Sequence, residues 1–112
     1  MKEYNLECKY DRAKSFYGKA KVVEEYNAIS LISYNSCICQ IQTVGLDDVR
    51  VKIYNVTDYY GKSLTFSSTS LRHLKEFLKQ NGLVAENKDQ IMRDYIIAEG
   101  GKTDGFSKSS RK

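Results

Sequence analysis

The chain has 112 residues, 41% of them hydrophobic, with nine tyrosines, no proline, no tryptophan and a formal charge of +4. That length supplies one core and excludes two, and the apolar content excludes an intrinsically disordered chain. The mild basicity is compatible with phosphate-rich partners and excludes a strongly acidic nucleic-acid mimic.

Met1-Lys2-Glu3-Tyr4-Asn5 has no apolar signal segment, and no apolar run approaches the ~20 residues that span a bilayer. The three cysteines, without an export signal, read as free thiols. A cytoplasmic protein without membrane association is expected.

Residues 1–18 alternate charged side chains with Tyr4, Leu6, Cys8 and Tyr10; the early part has a strand period, whereas Asp11 to Phe16 fits one helical turn. Lys19 to Glu25 reads as a strand, followed by a turn at Glu25 to Ala28 in which Asn27 tolerates positive φ. Ile29 to Tyr34 and Cys37 to Val44 are the next strands, joined at Asn35-Ser36. After a loop at Gly45 to Asp48, Val49 to Val56 forms a fourth strand. Val49, Val51 and Ile53 take one face of it; Arg50, Lys52 and Tyr54 take the other, expected to be solvated or partner-facing. Thr57 to Thr65, carrying Tyr59-Tyr60-Gly61-Lys62, is a turn or a short hairpin extension.

The stretch Ser67 to Gly82 is specified at every position that matters to a helix. Ser67 to Ser70 offer N-caps, Leu71, Leu74, Phe77 and Leu78 make one apolar stripe, and Asn81-Gly82 provides the stop. Leu83 to Glu86 is an edge strand or an exit segment, and Asn87 caps a second helix from Lys88 to Ile97 with Ile91, Tyr95 and Ile96 or Ala98 on one side. The predicted fold is α+β: an antiparallel meander of about four strands, one main amphipathic helix packed on one face, and a shorter C-terminal helix. Residues 1–99 form the domain. Residues 100–112, with Lys102, Lys108, Arg111 and Lys112 against Asp104, form a flexible basic tail.

Three segments together, S-F-Y-G-K-A at Ser15 to Ala20, I-S-Y-N-S at Ile32 to Ser36 and the Ser67 to Gly82 helix, resemble a family of small uncharacterised proteins carried by phages and mobile elements of low-GC Gram-positive bacteria. In that family a hairpin S-Y-N-T precedes S-x-T-T-x-R-H-x-K-E-F-L-x-Q-N-G. This chain departs in Ser36 and Ser70, where threonine is usual, and in a longer Val56 to Phe66 connection. The resemblance covers roughly Ser15 to Tyr95 and implies an accessory protein of a mobile element, with nothing catalytic.

No constellation with chemistry survives inspection of the residues. Cys37 and Cys39 share a strand face, but a metal site needs further ligands and the chain has one histidine. They read as small buried hydrophobes. His73 borders the apolar stripe beside Phe77, a place for a packed imidazole, with no third orienting group. Gly61-Lys62-Ser63 lacks the upstream glycine of a phosphate loop, and Gly100-Gly101-Lys102-Thr103 lacks its context. No catalytic residue, metal or cofactor is assigned.

Two binding clusters remain. Arg50, Lys52, Tyr54, Tyr59, Tyr60 and Lys62 bring together the residue types enriched at protein interfaces. Arg72, Lys75 and Lys79 lie on one helical stripe and, with Lys108, Arg111 and Lys112 of the tail, suit nucleic-acid phosphates. Size, the mobile-element resemblance and the absence of a catalytic constellation imply a non-catalytic binding protein of a mobile element that engages a host protein or ribonucleoprotein, most sharply an anti-CRISPR-like inhibitor of a nucleic-acid-guided nuclease, with the first cluster as its partner surface. The alternative is a DNA- or RNA-binding accessory protein that uses the helix stripe, the tyrosine-bearing sheet face and the tail.

Overall fold

A computed structural model describes residues 2–44 and 48–101. Six strands and two helices follow in the order β1 (Lys2–Asn5), β2 (Ala20–Glu24), β3 (Ala28–Ser33), β4 (Ser36–Thr43), β5 (Val49–Val56), α1 (Ser68–Gln80), α2 (Lys88–Asp94) and β6 (Ile96–Gly101). The strands form one sheet in sequence order. The first five make an antiparallel meander, and β6 pairs parallel to β5. Parallel neighbours need a long crossover, and here that crossover carries both helices.

The α+β class and the meander agree with the sequence reading, but the sheet is larger and mixed. Lys2–Asn5 adds a strand at one edge. At the other, the predicted helix Lys88 to Ile97 stops at Asp94, and Ile96 onward enters the sheet as β6. The physical reason is local: Ile96 and Ile97 are β-branched, and β5 would otherwise offer an unpaired edge. Leu83 to Glu86 makes no strand, and β6 reaches two residues into the stretch read as tail. The rest of that tail and most of the Gly45 to Asp48 loop lie outside the described residues.

Register explains the core. Val22, Leu31, Cys39, Ile53 and Ile97 are successive cross-strand partners and therefore share a face. Val22, Leu31, Cys39 and Ile53 are buried in one cluster with Leu74, Phe77 and Leu78 of α1 and Ile91 of α2. Leu71, the first residue of the predicted stripe, packs at its margin half-buried. α1 begins where Ser67 Oγ accepts from Ser70 N–H and ends at Asn81, with Gly82 at φ 77° completing the exit.

One irregularity revises the cysteine reading. Cys39 pairs with Leu31 while Cys37 pairs with Ile32, so a bulge absorbs Ile38. Leu31 and Ile32 are adjacent and face opposite ways, which places Cys37 and Cys39 on opposite faces instead of the same one. Both thiols are free and buried, and Cys8 is free and half-buried.

Candidate functional site

The connection from β5 to α1 folds back on itself. Thr57 bridges to Ser63, and Leu64 N–H donates to Val56 O. The fully buried Thr65 clamps the base: its Oγ1 accepts from Val56 N–H and donates to Tyr54 O. At the tip, Asp58 Oδ1 accepts from both Tyr60 N–H and Lys62 N–H at 2.9 Å. Gly61, at φ 83°, completes the turn and donates to Asp58 O. This small hairpin presents Tyr59 and Tyr60 at 94% and 88% exposure, their rings packed edge-to-face at 5.3 Å. Two aromatic rings are thus held by a hydrogen-bonded turn while almost all of their surface stays in water.

The same end of the sheet holds further tyrosines. The β3–β4 turn and the residues entering β2 lie beside the C-terminal end of β5, since neighbouring strands run antiparallel. There Tyr17 and Tyr34 adopt left-handed φ of 53° and 58° and are exposed. Such backbone is disfavoured for bulky residues and concentrates where the surroundings over-determine it. Tyr34 and Leu64 border a 150 Å³ cleft with Ser33, Ser67 and Ser70. Beneath it, buried His73 hydrogen-bonds through Nδ1 to Ser33 Oγ at 2.8 Å, and Ser33 Oγ lies 3.0 Å from Ser70 Oγ. His73 also meets Phe16 edge-to-face, and burial, then the charge of Arg72, holds its pKa below the ordinary value. The triad of side chains ties β3 to α1.

The predicted partner cluster does not hold together as one surface. Arg50 is exposed but sits near the start of β5, ~20 Å along the strand from Val56 and the hairpin beyond it. Tyr54 is buried at 2% exposure. The expectation of a solvated face fails at Tyr54, which belongs to the buried core cluster, while Arg50 on the same face stays exposed. Lys52 is half-buried on that interior strand. Tyr59, Tyr60 and Lys62 stay together, exposed, on the hairpin.

The helix stripe is rearranged too. Residues 7–12 run as a strap along α1, held by residues four apart on the helix. Gln80 donates to Glu7 O, Glu76 accepts from the N–H groups of Lys9, Tyr10 and Asp11, and Arg72 donates to Asp11 through Nε at 3.0 Å. Arg72 and Asp11 also form an ion pair that pulls the Asp11 carboxyl down to about 2. Arg72, Lys75 and Lys79, now joined by Tyr10 and Arg12 of the strap, line a concavity of about 410 Å³. Lys108, Arg111 and Lys112 lie outside the described residues. Sequence reasoning missed Tyr10, Arg12 and Glu76, because the strap's partners on α1 are more than sixty residues away in sequence.

Comparison with known families finds a match over residues 4–93 to a family of unknown function, DUF8033. The chain belongs to that family. The DUF8033 match takes in the strap, the tyrosine hairpin, α1 and all but the last residue of α2, and ends before β6. No curated protein and no solved structure matches the chain. No helix among the described residues is long and apolar enough to cross a membrane.

Proposed function

We propose that this chain is a non-catalytic binding protein whose anchor is the Tyr59-Tyr60 hairpin and whose partner is a protein. The observation that carries the reading is two almost fully exposed rings on a hairpin tip whose main chain Asp58 braces through the N–H groups of Tyr60 and Lys62. Exposing apolar ring surface in the free chain is unfavourable, and a few pre-organised aromatic anchors supply most of the energy of a typical interface. Tyrosine suits that role because it brings large contact area at low rotamer entropy, with a hydroxyl for the interface rim.

The mobile-element resemblance gives the partner its most specific form, a host protein or ribonucleoprotein, and the narrowest version is an anti-CRISPR-like inhibitor of a nucleic-acid-guided nuclease. The test is a cleavage assay with such a nuclease, adding wild-type chain or the Tyr59→Ala/Tyr60→Ala variant. Inhibition by the wild type that the variant loses supports the narrow version; inhibition retained by the variant removes the hairpin from the mechanism.

A further inference from the structure

We propose that the concavity between the 9–12 strap and α1 binds the phosphate backbone of single-stranded nucleic acid. This site is independent of the tyrosine hairpin and uses different elements.

Arg12, Arg72, Lys75 and Lys79 converge on one depression. The two acidic residues that also line it are already engaged. Asp11 takes the guanidinium of Arg72 and the N–H of Ala13. Glu76 is buried, its oxygens filled by three consecutive strap N–H groups and by Gln80. Among the described residues Arg12, Lys75 and Lys79 form no ion pair within 4.0 Å. Lys75 and Lys79 stand four residues apart on the same helical stripe, where like charges repel.

An ordinary solvated lysine flank is convex and interleaved with acids. This one is concave, is walled by main chain fixed to Glu76, and holds Arg72 in a set orientation through Asp11. From Arg72 to Lys79 the cations extend along ~10 Å of helix, long enough to follow a strand instead of seating a single ion. Tyr10 on the strap wall is 61% exposed. An exposed ring beside a cationic groove is the arrangement on which unpaired bases stack, and this favours a single strand over a duplex, whose bases are already stacked.

The probe is a fluorescein-labelled oligothymidylate of about 12 nucleotides, titrated by anisotropy against the full chain over a range of salt. Each phosphate neutralised contributes ~0.7 to the log–log salt slope for a single strand. Lys75→Gln/Lys79→Gln is expected to flatten the slope by ~1.4 and Arg12→Gln by ~0.7. Tyr10→Ala is expected to weaken binding about tenfold with the slope unchanged. Tyr59→Ala/Tyr60→Ala leaves all of these values as in the wild type. Arg12 sits on the exposed strap, so its variant reports even where the lysine pair perturbs the helix. Three results overturn the proposal: no binding at ~50 mM salt, slopes indifferent to both charge variants as when the tail alone binds, or preference for a duplex of the same length.

Discussion

Glu76 lies in a helix stretch, Lys75-Glu76-Phe77-Leu78, that reads as an ordinary solvated glutamate between core residues, yet it is 2% exposed. What it buries against is main chain: the N–H groups of Lys9, Tyr10 and Asp11 all donate to its carboxylate. Removing the acceptor strands several donors at once, so Glu76→Ala is expected to lower stability by about 2–4 kcal/mol and to release the strap. Chemical denaturation measures the first effect and protease cleavage within residues 7–14 the second. An unchanged midpoint contradicts the account.

His73 makes a pH prediction. Its pKa is held below the ordinary 6.5 by burial first and Arg72 second, with Asp11 opposing. The unfolded chain therefore binds the proton more readily than the folded one. The histidine's contribution is present above about 6.5 and is lost as pH falls through the folded pKa. The denaturation midpoint is expected to drop between pH ~7.5 and ~5.5. Asp11, at about 2, stays ionised throughout that window. A higher midpoint at the lower pH reverses the assignment.

The thiols give a third test at this scale. Burial pushes Cys37 up to about 11 and Cys39 well above the ordinary thiol value, so neither supplies thiolate at pH ~8. Iodoacetamide on the native chain should modify Cys8 alone, and mass-spectrometric detection of carbamidomethyl at Cys37 or Cys39 contradicts their burial.

At the scale of elements, α1 was legible because its instructions are local: a serine cap, a stripe at helical spacing and an Asn-Gly stop all lie within sixteen residues. Its central test is Phe77→Ala, a fully buried truncation expected to cost ~3–5 kcal/mol by the shift in denaturation midpoint. β5 was legible as well, since Val49, Val51 and Ile53 alternate with Arg50, Lys52 and Tyr54 over most of its length.

β6 was not legible. Ile96-Ile97-Ala98 is too short to declare a period, continues a capped helix, and becomes a strand only because β5 has an edge to fill. That one pairing also makes β5 an inner strand of the sheet, where a four-stranded meander would leave it at the edge. The strap is illegible for the same kind of reason. Apart from the Asp11 carboxylate that meets Arg72, it is held through its backbone groups, which carry no side-chain signature.

For the molecule as a whole, the fold separates two surfaces that composition alone had mingled. Tyr17, Tyr34, Tyr59 and Tyr60 gather at one end of the sheet, led by the hairpin, while Arg12, Lys75 and Lys79, none of them in an ion pair, share the concavity along α1 and the strap. The tyrosine end provides contact area and the α1 cleft provides charge. They should therefore respond differently to perturbation, the first to loss of rings and the second to salt.

The Tyr59-Tyr60 hairpin is proposed to anchor a protein partner. That role is tested most directly by affinity capture from nuclease-treated host lysate, with wild type beside Tyr59→Ala/Tyr60→Ala. Both rings are exposed, so the variant should keep the wild-type denaturation midpoint to within ~0.5 kcal/mol. A defined partner retained by the wild type after nuclease treatment, and released by the variant with at least a ~30-fold loss of affinity, is the predicted result. Capture that survives loss of both rings, or that disappears with the nucleic acid, contradicts the claim.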